Sequence, residues 1–139
     1  DHLVPEDVVA HGAGTLLVSG GFTAFSGPVA ARIGFEAHQA NVLLAEGGRL
    51  TGRVAEPILG REAKVSALER ETRSRGIGAG DVIAVGDGAN DLGMLERAGL
   101  GVALHARPAV AAQADVRIDH GDLTALLYLQ GYSTEEFAR

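Results

Sequence analysis

Hydrophobic and polar positions alternate along this chain in short blocks. Runs of four or five aliphatic residues end in glycine-rich polar stretches, and each is followed by a longer segment of helical period. Val82-Ile83-Ala84-Val85 leads into Gly86-Asp87-Gly88-Ala89-Asn90-Asp91, and Leu92, Leu95 and Ala98 then share one helical face up to Gly99. Runs this short read as strands buried on both faces. Gly86 and Gly88 are expected to supply backbone conformations closed to other residues, and Asn90 or Asp91 to cap the helix. Thr15-Leu16-Leu17-Val18 is a second such strand, followed by the polar loop Ser19-Gly20-Gly21 and a helix over 23–32 that Pro28 bends and Gly34 ends.

The remaining blocks extend the pattern. Leu3–Ala10 reads as a short helix with Pro5 in its first turn. Val42–Ala45 and Leu50–Val54 flank Glu46-Gly47-Gly48-Arg49, a β-hairpin signal. A helix is expected over 61–75, with Ala63, Val65, Ala67 and Leu68 inward and Glu69, Arg70, Glu71, Arg73 and Arg75 solvated. Leu100–Leu104 and Val116–Ile118 are short strands, Pro108 begins a small helix through Ala114, and Asp122 or Thr124 starts a helix through Leu129. Residues 133–137 read as a tail or last turn. Strands alternating with helices specify an α/β fold, a largely parallel sheet with helices on both faces and the hairpin appended.

Composition narrows the class. The chain has 139 residues, the size of one domain, and is 46% hydrophobic but only 4% aromatic, so its core is aliphatic. Without cysteine it has neither disulfides nor thiolate metal sites, which fits a reducing, cytoplasmic compartment. No apolar stretch is long enough for a membrane span. A net charge of −6 argues against a general nucleic-acid binder and requires local positive charge or a metal wherever an anion is to bind.

The chemistry concentrates after the strands. Asp87, Asn90 and Asp91 form a hard, oxygen-rich cluster suited to Mg²⁺; the bland alternative is a turn residue and a helix cap. Asp91 stands where a dinucleotide fingerprint requires glycine, which excludes that rival. Ser19 offers a hydroxyl, and Gly20 and Gly21 let backbone N–H groups approach an anion. Lys64 falls in a first helical turn, where the macrodipole disfavours a cation; it is either a surface lysine or a charge aimed into an anion site. His38 reads as structural or surface, and so do His2, His11, His105 and His120, because none forms a metal-spaced pair.

Leu17-Val18-Ser19-Gly20-Gly21-Phe22, Lys64 and Val85-Gly86-Asp87-Gly88-Ala89-Asn90-Asp91 together resemble the haloacid dehalogenase (HAD) superfamily, more narrowly its phosphoserine phosphatase branch. Gly47-Gly48-Arg49-Leu50-Thr51-Gly52 and Leu123–Tyr132 add to the narrower likeness. The resemblance implies that Ser19 and Gly20 bind the transferring phosphoryl group, Lys64 neutralises it, Asn90 contacts the substrate phosphate, Asp87 binds Mg²⁺, and Asp91 holds the metal's water shell and orients Lys64. It implies a phosphomonoester hydrolase acting on O-phosphoserine through an aspartyl-phosphate.

That family's nucleophile lies in an Asp-x-Asp motif followed by a helical cap, and no Asp-x-Asp occurs in this sequence. The expectation is therefore that residues 1–139 are the C-terminal part of a HAD-like phosphatase core, an incomplete core lacking the nucleophile strand and cap. The strands before Ser19 and Asp87 would each keep an unpaired edge, to be completed by a missing N-terminal segment or another chain. Three alternatives stay open. One is another small-molecule HAD phosphatase. Another is a cation-pumping ATPase fragment, since those enzymes share a Gly-Asp-Gly-x-Asn-Asp loop, although the chain shows neither their membrane spans nor their nucleotide domain. The last is a non-catalytic phosphate- or metal-binding remnant.

Overall fold

A computed structural model of the chain describes residues 12–56, 60–130 and 135. The helix expected over Leu3–Ala10 lies outside the described residues, and so does most of the expected tail. The chain forms two compact units, Asp1–Leu59 with Leu126–Arg139, and Gly60–Ala125.

In the first unit, β1 (Leu16–Phe22) pairs in parallel with β2 (Ala37–Asn41), and α1 (Thr23–Ile33) connects them. A helical crossover of this kind is what parallel pairing of neighbouring strands requires. β1 is longer than expected. Ser19-Gly20-Gly21 is not a loop after the strand but part of it, and Phe22 opens α1 directly. The ladder is irregular there: Val18 faces Gln39 and Phe22 faces Asn41, so four steps on β1 match two on β2. A bulge of this kind takes backbone groups out of the ladder. α1 runs through Pro28 and ends at Gly34, whose φ of 88° lets its N–H return to Ala30 O. Ser26, on this helix, hydrogen-bonds His38 Nδ1 on β2 at 2.9 Å, which gives His38 a structural role.

β3 (Leu43–Glu46) and β4 (Arg49–Val54) form the hairpin. Gly47 and Gly48 have φ of 59° and 80°, the positive pair that a two-residue type I′ turn needs.

The second unit holds the three-stranded parallel sheet β5-β6-β7, with β5 (Ile83–Gly86), β6 (Leu100–Leu104) and β7 (Val116–Ile118). β6 is central and the most buried; β5 buries only Ala84 fully, so the expectation of burial on both faces holds for β6 rather than for β5. Among the described residues, β5 pairs with β6 alone and β1 with β2 alone. α2 (Arg61–Arg75) packs against α3 (Leu92–Arg97). The core joins Leu68 of α2, Ala84 of β5, Leu95 of α3, Ala98, Ala103 of β6, and Val110 and Ala111 of α4 (Pro108–Ala111). α5 spans Thr124–Leu129, and Asp122 Oδ1 accepts a hydrogen bond from Thr124 N at its start.

Two close approaches explain glycines whose φ is unremarkable. A Cβ on Gly99 would lie 2.1 Å from Gly80 O, and one on Gly101 2.4 Å from Leu95 O. Gly99 is therefore a packing glycine. α3 itself ends at Arg97, with Ala98 in extended conformation, so Gly99 is not its left-handed cap.

The inward face of α2 differs from expectation. Its buried residues are Lys64, Ala67, Leu68 and Thr72, while Ala63 and Val65 are half-buried. Glu69 and Glu71 are half-buried rather than solvated, with Glu69 Oε1 accepting from Arg97 Nε at 3.3 Å.

Candidate active site

β5 ends at Gly86, and the chain then makes a loop and a 3₁₀ turn, Ala89–Asp91, before α3 begins at Leu92. Asp91 organises this segment by reaching backwards. Its Oδ2 accepts from Asp87 N at 3.0 Å and from Gly88 N at 3.2 Å, while its own N–H donates to Gly88 O. The sequence suggested a side-chain cap for α3; the structure shows none, because the carboxylate is committed to the loop and not to the helix N–H groups. Gly86 and Gly88 also serve differently from expectation. Neither has a positive φ. A Cβ on Gly86 would lie 2.5 Å from Asp91 Cβ, so Gly86 is the floor on which Asp91 sits. A Cβ on Gly88 would crowd only the tip of Asn90, with Oδ1 2.8 Å away, and would touch Asp91 Oδ2 at an ordinary 3.9 Å.

The other carboxylate oxygen, Oδ1, accepts from Lys64 Nζ at 2.5 Å. Both side chains are almost wholly buried, at 11% and 6% exposure. A charge this buried is tolerated only when paired and hydrogen-bonded. Lys64 therefore points inward, which rules out the surface-lysine alternative. Burial tends to raise the Asp91 pKa. The Lys64 hydrogen bond, the Gly88 and Asp87 N–H groups and the Lys64 charge outweigh it, so the carboxyl titrates below the ordinary range.

Asp87 and Asn90 are exposed beside this pair, and neither side chain makes a hydrogen bond among the described residues. They line an open groove of about 450 Å³ together with Gly88, Ala89, His105 and Arg107. Arg61, at the first position of α2, donates from Nη2 to Ala89 O at 3.0 Å and ties the loop to the helix that carries Lys64. Arg61, His105 and Arg107 were not singled out by the sequence as site residues. Arg61 stands one helical turn before Lys64, which is the signal that could have found it. The other two depend on strand neighbours that no local pattern reveals.

The structure thus brings Lys64, Asp87, Asn90 and Asp91 together within one unit. Ser19 and Gly20 belong to the other unit, on the bulged stretch of β1, where Ser19 is half-buried.

The oxygen donors at Asp87 and Asn90 suit a hard cation. Asp91 is largely committed, since Lys64 and two N–H groups take three of the roughly four lone-pair sites of its carboxylate. Among the described residues no three His, Asp or Glu groups converge. The unit therefore fits one carboxylate's share of a Mg²⁺ site.

The sequence pattern of haloacid dehalogenase-like hydrolases matches residues 7–96, well over half of the chain. The chain belongs to that family. Phosphoserine phosphatase of Albidiferax ferrireducens is 46% identical over 124 residues, covering 86% of this chain and 52% of that protein. Phosphoserine phosphatase of Streptomyces coelicolor is 42% identical over 120 residues, covering 86% and 29%. The chain thus spans about half or less of these curated relatives. A solved structure described as a phospho-aspartyl intermediate analogue of phosphoserine phosphatase superposes with a TM-score of 0.81 at 35% identity, covering 90% of this chain and 60% of the other. The HAD-like α/β fold expected from the sequence is therefore the observed one. No helix among the described residues is long and apolar enough to cross a membrane.

Proposed function

We propose that residues 1–139 are the C-terminal part of a phosphatase core domain whose enzyme hydrolyses O-phosphoserine to serine and phosphate through an aspartyl-phosphate, with Mg²⁺ as cofactor. The observation that carries this is the buried Lys64–Asp91 pair beside an uncommitted Asp87 at the carboxyl end of a parallel strand, where α/β folds bind ligands. The two relatives named as phosphoserine phosphatases and the phospho-aspartyl analogue support the choice of substrate and intermediate. A cytoplasmic place in serine synthesis goes with this reading.

In the proposed site, each group serves positioning or charge neutralisation, which phosphoryl transfer needs most. The Ser19 hydroxyl and Gly20 N–H hold phosphoryl oxygens. Lys64 neutralises charge on the transferring group and on the acyl phosphate, and its position is set by Asp91. Asn90 donates its amide to the substrate phosphate. Asp87 is the residue that would hold Mg²⁺, which when bound supplies further neutralisation of phosphate charge. The attacking carboxylate comes from an Asp-x-Asp segment outside this sequence, in the same protein or in another chain.

The test is phosphate release from O-phosphoserine with Mg²⁺ present. Residues 1–139 alone should release a negligible amount, since losing one member of a cooperating catalytic set costs orders of magnitude. Protein that includes the Asp-x-Asp segment should turn over, and Asp87→Asn should abolish that turnover. Substantial release by residues 1–139 alone, lost on Ser19→Ala or Lys64→Ala, would show that the nucleophile lies within them.

A further inference from the structure

The groove beside Asp87 has a second wall, and it carries a cation that has no part in the proposed phosphoryl-transfer site. Gly86 at the end of β5 pairs with Ala103 on β6, so the loop after β6 lies alongside the loop carrying Asp87. Two devices shape that second loop. His105 has φ of 48°, unusual for a residue with a side chain, and is held there at both ends. Its N–H donates to Ile118 O at 2.8 Å, and its ring Nε2–H donates to Gly121 O at 2.6 Å. Pro108 at the start of α4 then keeps Arg107 extended, at φ −63° and ψ 149°.

Arg107 is exposed and lines the groove, and its side chain makes no hydrogen bond or ion pair among the described residues. Of the other cations on this unit, Lys64 is paired with Asp91 and Arg61 donates one N–H to Ala89 O, and neither lines the groove. The groove's other formally charged lining residue is Asp87, and the chain as a whole carries −6. A phosphate dianion entering the groove therefore moves against the overall field and, wherever Mg²⁺ is not bound, against the Asp87 charge as well. Arg107 is the one positive group in the lining that opposes them.

We propose that Arg107 is a recruiting residue that draws the dianionic phosphate of the substrate into the Asp87 groove by charge. The inference rests on the phosphatase reading, and adds to it a residue that acts on capture rather than on chemistry. Recruitment depends on net charge and not on the geometry of the guanidinium fork, so an ammonium in its place serves nearly as well.

The experiment uses the full-length protein that contains this sequence. KM and kcat for O-phosphoserine, and the inhibition constant of inorganic phosphate, are measured at low and high salt. Arg107→Ala should raise KM and the phosphate constant about three- to tenfold at low salt, Arg107→Glu should raise them further, and Arg107→Lys should keep most of the wild-type value. The differences should shrink at high salt, and the loss should fall on KM and not on kcat. Unchanged KM and phosphate inhibition in Arg107→Ala, or a loss confined to kcat, overturns the proposal while leaving the phosphatase reading intact. If the wild-type protein hydrolyses nothing, that reading falls. Direct titration with inorganic phosphate then decides the inference: binding weakened by Arg107→Ala sustains it, and binding indifferent to the substitution overturns it.

Discussion

The strand ends at Ser19 and at Asp87 look alike in sequence, aliphatic run, then glycines, then helix, yet they are built differently. β1 never stops. It bulges through Ser19-Gly20-Gly21 and hands over to α1 at Phe22, so its shape comes from its ladder with β2. β5 stops at Gly86, and the loop beyond it is held chiefly by Asp91, which binds two N–H groups of its own loop and a lysine 27 residues away, with Arg61 adding a bond to Ala89 O. The first arrangement spreads its support over many weak contacts. The second concentrates it in a buried ion pair, so single substitutions should affect the two regions very unequally.

The largest effect is expected at Asp91. Asp91→Ala strands the buried Lys64 ammonium and frees two loop N–H groups. Removing one partner of a buried pair costs about 3–5 kcal/mol. Chemical denaturation should show a loss of this size, with hydrolysis by the full-length protein reduced to background. Acid should reproduce part of it. The Asp91 carboxyl is depressed in the folded chain, so its contribution is fully present above the ordinary carboxylate pKa of about 4 and disappears as pH falls through the lower folded value. Stability of metal-free wild type should fall over that acid window, and Asp91→Asn should flatten the fall. An Asp91→Asn protein with the wild-type acid profile would mean that other carboxylates govern it.

The two glycines around Asp87 sharpen the contrast within the loop itself. A methyl group on Gly86 collides with Asp91 Cβ and Cγ, which cannot retreat without breaking the Lys64 bond. Gly86→Ala should cost about 1–3 kcal/mol, the usual range for overpacking, and should impair turnover as well. A methyl on Gly88 meets the movable tip of an exposed Asn90, and the backbone there, at φ −118°, suits alanine. Gly88→Ala should change stability by less than about 0.5 kcal/mol, as most surface substitutions do. Melting curves of the two variants side by side test the assignment; equal losses would show that the loop is not seated on Gly86.

How much of this was legible depends on where the determining contacts lie. α2 over 61–75 and β6 over 100–104 were readable to the residue, because glycines bracket the first and an unbroken aliphatic run forms the second. The turn at Gly47-Gly48 was readable for the same local reason. β2 was missed: Ala-His-Gln-Ala-Asn has little strand propensity, and its parallel pairing with β1 makes it a strand. Within the site, Asp87, Asn90 and Asp91 announced themselves by spacing. That Asp91 would turn back on its loop, that Gly86 would serve as a floor, and that Arg107 would share the groove are consequences of chain segments meeting in space. Lys64 lies between these cases. Its place in a first helical turn was odd enough to flag, but its partner could not be read from the helix alone.

The smallest effect belongs to the first unit. Ser26 is buried on α1 and hydrogen-bonds His38 on β2, a helix-to-strand link that supports β1 from outside the bulge. Ser26→Ala removes one hydrogen bond and leaves His38 Nδ1 without that partner. His38 is exposed, however, so water replaces what is lost. A neutral hydrogen bond of this kind contributes about 1 kcal/mol, and less when one partner is solvated. Because β1 is held by its ladder and not by one side chain, the change should stay local. Ser26→Ala should lower the melting temperature slightly and leave amide exchange along β1 and β2 nearly as slow as before. Broad loss of exchange protection across both strands would show that the first unit also hangs on a single contact, and the difference between the two strand ends would then be one of position only.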